Sequence, residues 1–454
     1  MSSLQPSPTI ILPQLPPKTF VGIDLITFTS TANFHGITDL PSGWHFLYTG
    51  TTESLSLRCG AWFYVGDLRA AGDGHSETAL ALSHGSSPAP DIFVWKWDPE
   101  TESLAPLDGT GQLDSQDMMR FKANLGAIVQ SGGLFRYRGR VSPAALTKQP
   151  STGNDVMQVD DPETEESGRR DWRGLTDSIS PALLSRIVGT PDVDVDGHPR
   201  WPVTSASTAN CDADDIPGLE RQSEVSSNTP GANAREERNL NFIPIDLKRT
   251  WREGAVGRER TEAAQDRSWA LGDFIRRYSG DSTTLDERIG ERHMLGELQF
   301  TFLMALTMMN FSCLQQWKRL LGLILTCRQA IKDRESFMTD VLRLLLCQLQ
   351  RCDDVEGGLF EIDGDEGGRF LRELLTKLRR SVDEIVGSGT SPVETELDKL
   401  GKWVKDEYDW DLQREFILRR GMIQLEDGEE IEMEMDDNDE DEETGEYAPL
   451  VVDT

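Results

Sequence analysis

Between Met294 and Leu321 the chain permits little other than two tightly packed helices. Leu295, Leu298, Phe302, Leu306 and Met309 recur at helical spacing, and Phe300, Leu303 and Ala305 make the remaining faces apolar as well. A helix that is apolar all round must be buried. After Asn310 the pattern resumes with Trp317, Leu320, Leu321 and Ile324, spaced i, i+3, i+4, i+7. Phe302 and Trp317 are therefore expected in the core of a helix pair. Asn310, Gln315, Gln316, Lys318 and Arg319 interrupt the apolar run, so it does not read as a membrane span. Asn310-Phe311-Ser312 matches a glycosylation sequon, but its place inside an apolar block argues against that use.

The same helical period continues downstream. Phe337, Val341, Leu344 and Leu345 form one stripe, and Leu371, Leu374, Leu375, Leu378 and Val382 another. Gly387 and Gly389 end that helix, and a last one begins after Ser391-Pro392 and carries Leu397, Leu400 and Val404. From Thr19 to Tyr137 the pattern is different. Short aromatic runs such as Trp44–Tyr48, Ala61–Val65 and Ile92–Trp97 are bounded by turn residues, which predicts an antiparallel sandwich or barrel. Residues 70–90, rich in Gly, Ser and Ala, read as an inserted loop.

Residues 148–237 are poor in large apolar side chains and read as a disordered acidic Ser/Pro-rich linker. Within them Ser180–Val188 has Pro181 at a first helical position and reads as a short ordered piece. The proline-punctuated start, 1–17, reads as a disordered N-terminus without signal-peptide character. The expected organisation is thus a β-rich domain (18–147), the linker, a helical domain (238–421) and an acidic tail (422–454). In fold class this is multidomain α+β, with a β-sandwich-like first domain and an all-α second one.

The net charge of -32 argues against direct nucleic-acid or anionic-membrane binding and favours a basic protein partner. Thirteen acids between Glu426 and Glu443 concentrate that charge in the tail. Spacing gives no disulfide framework or zinc site, which fits a reducing compartment. Asp192, Asp194, Asp196 and Gly197 imitate the start of a calcium loop, but Val203 stands where a bidentate Glu is needed and Pro199 and Pro202 break the loop. No cofactor, metal or catalytic constellation is expected. His45 reads as a structural residue of a strand, and Trp251 and Trp269 as anchors of the helical domain. An adaptor built on a helical bundle, or a hydrolase with a site dispersed in sequence, would share these features.

The wording of the central block goes further than its period. Leu295-Gly-Glu-Leu-Gln-Phe300, followed by Gln316-Trp317-Lys318-Arg319-Leu320-Leu321, resembles the signature of the Aar-two family. Gly22-Ile23-Asp24, Phe34-His35-Gly36-Ile37, Trp95-x-Trp97-Asp98, Asp266-x-Ser268-Trp269 and Tyr408-Asp409-Trp410-Asp411 resemble other parts of it, in the same order. The resemblance implies a β-sandwich-like domain followed by a VHS-like helical domain. It implies a non-enzymatic splicing factor, cytoplasmic and nuclear, that assembles the U-five small nuclear ribonucleoprotein. Its partner would be the large spliceosomal protein Prp-eight, through the RNase-H-like and Jab/MPN domains, with premature helicase binding blocked. The family's tail is implicated in bridging these domains by strand addition, which would place Tyr447, Leu450, Val451 and Val452 at the partner. Independently of the resemblance, Ser180, Thr190 and Thr229 each precede a proline and are candidate phosphoacceptors.

Overall fold

A computed structural model describes residues 7–52, 56–68, 91–108, 114–138, 162–209, 239–280, 286–352, 366–387, 391–412, 419–424 and 430–435. Two sheets face each other. The first has strand order β8 (Ser103–Pro106), β7 (Ile92–Asp98), β1 (Thr9–Ile11), β4 (Gly36–Thr38), β9 (Leu134–Arg136). The second runs β10 (Asp192–Val193), β11 (Pro199–Thr204), β6 (Arg58–Val65), β5 (Gly43–Gly50), β2 (Phe20–Ile23), β3 (Ile26–Thr29). The sandwich expectation holds, but the first sheet is mixed: β1 pairs in parallel with β7, and β4 with β9.

Period-two alternation explains the layers. From β5 and β6, Leu47, Ala61, Phe63 and Val65 enter the space between the sheets. Trp44, Phe46, Tyr48 and Trp62 point the other way, into a second core shared with the helices. Helix α1 (Asp114–Gln130) covers the outside of the first sheet, where Met118 meets Ile11, Val94 and Leu107. The molecule is therefore helix, sheet, sheet and helical layer in sequence, with β5 and β6 buried on both faces.

Two expectations are corrected. Thr9–Ile11, assigned to a disordered start, is the central strand of the first sheet, and Ile10 is fully buried. Pro8 and Pro13 bound the strand rather than breaking it. The stretch 148–237 is likewise not all linker. It carries α2 (Pro162–Gly174), α3 (Pro181–Val188), β10 and β11. Trp172 stacks on Trp62 at 6.0 Å and its indole N–H donates to Trp44 O at 2.7 Å. Trp201 donates to Ser185 Oγ at 3.0 Å, and Leu183, Leu184 and Ile187 are sealed in the same core. A few large side chains on short elements do this work, and the average composition of ninety residues hides them.

The helical layer comprises α4 (Arg258–Gln265), α5 (Ser268–Arg277), α6 (Glu287–Met308), α7 (Phe311–Ile324), α8 (Ala330–Asp333), α9 (Glu335–Leu349), α10 (Glu366–Val386) and α11 (Pro392–Tyr408). The apolar stripes read from the sequence are buried except at the ends of the first, where Leu295 is half-buried and Met309 is the half-buried C-cap of α6; Phe302 and Trp317 meet with ring centroids 6.1 Å apart. Helix α11 begins at Pro392 rather than after it, and Ser391 caps it, accepting from Val393 N–H. Trp269 packs on the core with Arg252 over its ring, while Trp251 is covered by Arg260. Beyond α11, β12 (Arg419–Gln424) and β13 (Glu430–Met435) form an antiparallel hairpin. The domain boundary expected after residue 421 falls inside β12, and β13 lies within the expected tail.

Candidate functional site

Glu297, Gln299, Asn310 and Gln316, buried polar residues of the Met294–Leu321 block, lie at the seam where the β-layers meet the bundle. Glu297 of α6 is fully buried. Its Oε2 lies 2.5 Å from Arg186 Nη2 of α3. Its Oε1 accepts from Ile243 N–H at 3.0 Å and from Gln316 Nε2 of α7 at 2.8 Å. Gln316 also donates to Ile243 O at 2.9 Å, and Arg186 donates to Asn241 O and lies over the Tyr278 ring. A carboxylate taken fully out of water needs this set of donors to be tolerated.

Two residues along α6, Gln299 Oε1 accepts from Ser178 N–H at 2.9 Å, and its amide donates to Gly174 O and to Asp177 Oδ1 at 2.6 Å. Gly296 directly precedes Glu297, and a methyl group there would lie 2.5 Å from Ser178 O. Trp317 donates to Gln348 Oε1 at 3.0 Å, and Gln348 in turn to Leu298 O. Asn310, at the elbow between α6 and α7, accepts from Cys313 N–H and donates to Ser207 O at 2.8 Å in the loop after β11. From the sheet side Arg58 Nη1 donates to Thr307 O at 2.6 Å. The side chains that the period alone did not require are thus a clasp. They bind residues 174–187, 204–207 and 241–243 to the bundle.

A groove of about 700 Å3 opens beside the elbow, between edge strands β8 and β10. Leu57 and Val193 stand exposed at its lip, and Leu104, Val203 and Trp95 line it. Arg200 lies over Trp95 at 5.2 Å and binds Leu104 O and Asp192. No imidazole, lysine or glutamate is among the described residues lining it.

Family models match both layers. The AAR2 N-terminal domain matches residues 6–189 and the AAR2 C-terminal repeat region matches residues 242–413. The chain belongs to the AAR2 family. Membership places it among splicing-related assembly factors of the U-five small nuclear ribonucleoprotein. The AAR2 N-terminal match runs through α2 and α3, the helices that the clasp ties to the bundle.

One constellation in this AAR2 chain has the outline of an acid–base site. His45 Nδ1 lies 2.8 Å from Asp24 Oδ2 and Nε2 2.8 Å from Pro41 O, while Tyr137 donates to Asp24 at 2.6 Å. All three side chains are buried to within a few per cent. Both ring nitrogens face oxygen atoms, an arrangement that favours the doubly protonated ring beside the carboxylate. Burial pulls the His45 pKa down, but Asp24 and the Pro41 carbonyl outweigh it and the net shift is upward. The arrangement locks β5 to the turn after β2, as Asp24 Oδ1 also accepts from Phe46 N–H.

Asp194, Asp196 and His198 are the group of potential metal ligands among the described residues. Asp194 instead closes its own turn, accepting from the N–H groups of Asp196 and His198, and Asp196 binds Lys122 at 2.8 Å. These donors fit a self-contained turn better than a cation.

Of the phosphoacceptor candidates, Ser180 is the N-cap of α3 and accepts from Leu183 N–H at 3.2 Å. Thr190 is exposed after that helix, and Thr229 lies outside the described residues. Tyr447, Leu450, Val451 and Val452 also lie outside them. Sequence reasoning did not assign Arg186, Gln299 or Asn310 to the seam. The available signal was polar residues set in helices apolar on every face, because buried polar groups need partners.

Among the described residues no helix is long and apolar enough to cross a membrane.

Proposed function

We propose that this chain is a non-enzymatic chaperone of U-five particle assembly. It binds the RNase-H-like and Jab/MPN domains of Prp-eight, holds them in an immature arrangement and keeps the helicase subunit off. The observation that supports this reading is the match of both AAR2 regions, in order, to one chain. Their contents are clasped into a single platform, which suits a protein that must hold two partner domains at a fixed distance. Nuclear and cytoplasmic placement follows from a partner made in one compartment and used in the other. With a net charge of -32 the chain contacts protein rather than RNA.

Residues 446–452 are proposed to pair with an exposed sheet edge of the partner, with Tyr447, Leu450, Val451 and Val452 filling its pockets. Pro449 lacks a donor and restricts the register. Release is proposed to follow phosphorylation at Ser180, Thr190 or Thr229. Thr190 is the most accessible of the described pair. Affinity capture of the tagged full-length chain tests the main reading. Prp-eight should be recovered without the helicase subunit, and deletion of 446–454 should weaken recovery. Capture of a different basic protein, with Prp-eight absent, would replace the reading with a general adaptor. Aspartate at Thr190 should shorten complex lifetime; an unaltered lifetime removes that site.

A further inference from the structure

The two facing sheets end in four edge strands, β8 and β9 in the first and β10 and β3 in the second. An edge strand presents a row of N–H and C=O groups, and proteins guard such edges with proline, charge or shortness. Three of these four are guarded. Trp97 N–H donates to Pro13 O, on the side away from β8, so its opposite residue Leu104 turns away from β7, and Pro106 with it. Leu104 O accepts from Arg200, and Pro106 has no N–H to offer. β10 is two residues long. β9 ends in the exposed Arg136, which pairs with Asp39 at 3.0 Å.

β3 reads Ile-Thr-Phe-Thr, with neither charge nor proline. Just beyond it, Ser30 N–H donates to Thr19 O and Lys18 N–H donates to Ser30 O, so Ser30 faces the β2 side. Alternation then turns Ile26 and Phe28 toward β2, and Thr27 and Thr29 away from it. On β2 itself, Asp24 N–H donates to Phe46 O of β5, which requires the same parity. Among the described residues no further bond engages the backbone of Thr27 or Thr29. Side chains beside this edge sort by face. Phe28 lies on the side between the sheets, stacked on Phe135 at 4.7 Å and edge-on to Phe34 at 5.2 Å. Phe28 and Phe135 are half-buried, so they form an apolar shelf beside β3, while Thr29 on the other face is exposed.

We infer that β3 is the docking edge for an extended segment of a partner protein in which apolar and basic residues alternate. The edge selects backbone, because the N–H and C=O groups of Thr27 and Thr29 stand at strand spacing. The shelf of Phe28 and Phe135 selects an apolar side chain at every second position of an added antiparallel strand. The net charge of -32 favours basic side chains at the positions between, and it opposes two copies of this chain pairing edge to edge. This edge receives a strand, whereas the tail is proposed to donate one. The inference therefore stands apart from the Prp-eight reading and can fail separately.

The probe is the peptide Lys-Val-Lys-Val-Lys-Val-Lys, blocked at both ends and added to the full-length chain, with amide exchange read residue by residue. In the free chain the amides of Ile26 and Phe28 should exchange slowly and those of Thr27 and Thr29 fast. Saturating peptide should slow Thr27 and Thr29 by about tenfold or more. With valine beside Phe28, the peptide N–H groups that bond to β3 belong to its lysines. N-methylation of the lysine amides should abolish the protection, and N-methylation of the valine amides should leave it intact. Charge is the same in all three peptides, so attraction to the acidic tail cancels from the comparison. Thr29→Pro removes one outward donor without breaking a bond to β2, and should weaken peptide binding about fivefold. Equal protection by the two methylated peptides, or protection confined to other strands, would overturn the inference. So would protection of Thr27 and Thr29 in the free chain that rises with protein concentration, which would assign the edge to a second copy.

Discussion

Removal of the Glu297 carboxylate is the sharpest probe of the seam. In Glu297→Ala three donors lose their acceptor: Ile243 N–H, the Gln316 amide and the Arg186 guanidinium. An orphaned buried donor costs about 1–3 kcal/mol. Arg186 belongs at the low end, because its side chain keeps 16% exposure and can recover water. The expected loss is about 4–6 kcal/mol. Glu297→Gln retains one oxygen for Ile243 and Gln316 but turns an NH2 group toward Arg186, and should cost about 2–3 kcal/mol. Adding Arg186→Met removes the unpaired guanidinium, so the double variant should be less damaged than the sum of the singles, with a coupling of about 1–3 kcal/mol. Urea unfolding followed by tryptophan emission reads the stabilities, and amide exchange at Ile243 reads the seam locally. A loss below about 1.5 kcal/mol for Glu297→Ala, or unaltered exchange at Ile243, would refute the clasp as described.

Phe302→Ala should cost about 3–5 kcal/mol in the same assay, since its ring is fully buried against Trp317. Ser180→Ala removes the cap of α3 and should cost about 1 kcal/mol, whereas Ser180→Asp should be nearly neutral because aspartate also caps. His45 has a folded pKa above its unfolded value of 6.5, so its contribution is complete below that pH and is lost as pH rises through the folded value. Unfolding measured from pH 6 to 9 should show stability falling with pH, and Asp24→Asn, which removes the charged partner, should flatten that slope.

How much of this was legible follows from the length and regularity of each signal. The stripes of α6, α7, α9, α10 and α11 persist over several turns, and each was read to the right face. β5 and β6 announced themselves by aromatic residues between turns. β1 is three residues long and framed by prolines, so no periodicity could accumulate. α2, α3 and β11 rest on Trp172, Leu183, Leu184 and Trp201, isolated anchors in a polar stretch. Their burial is decided by partners about 130 to 140 positions away, such as Trp44 and Trp62. The Glu297 clasp was visible as wording but not as geometry, because its acceptors are backbone atoms of Ile243 and Asn241 that no side-chain pattern marks.

The sharing of one core between β5, β6 and α6 sets an order of events during synthesis. Trp44, Phe46, Tyr48 and Trp62 leave the ribosome long before Phe300, which lies 6.3 Å from Trp62 in the finished molecule. At roughly 5–20 residues per second, that aromatic face waits some ten to fifty seconds for its cover. During this interval the edge of β6 also waits for β11. Nascent chains stalled between these points should be the species most prone to aggregate and most dependent on ribosome-associated chaperones.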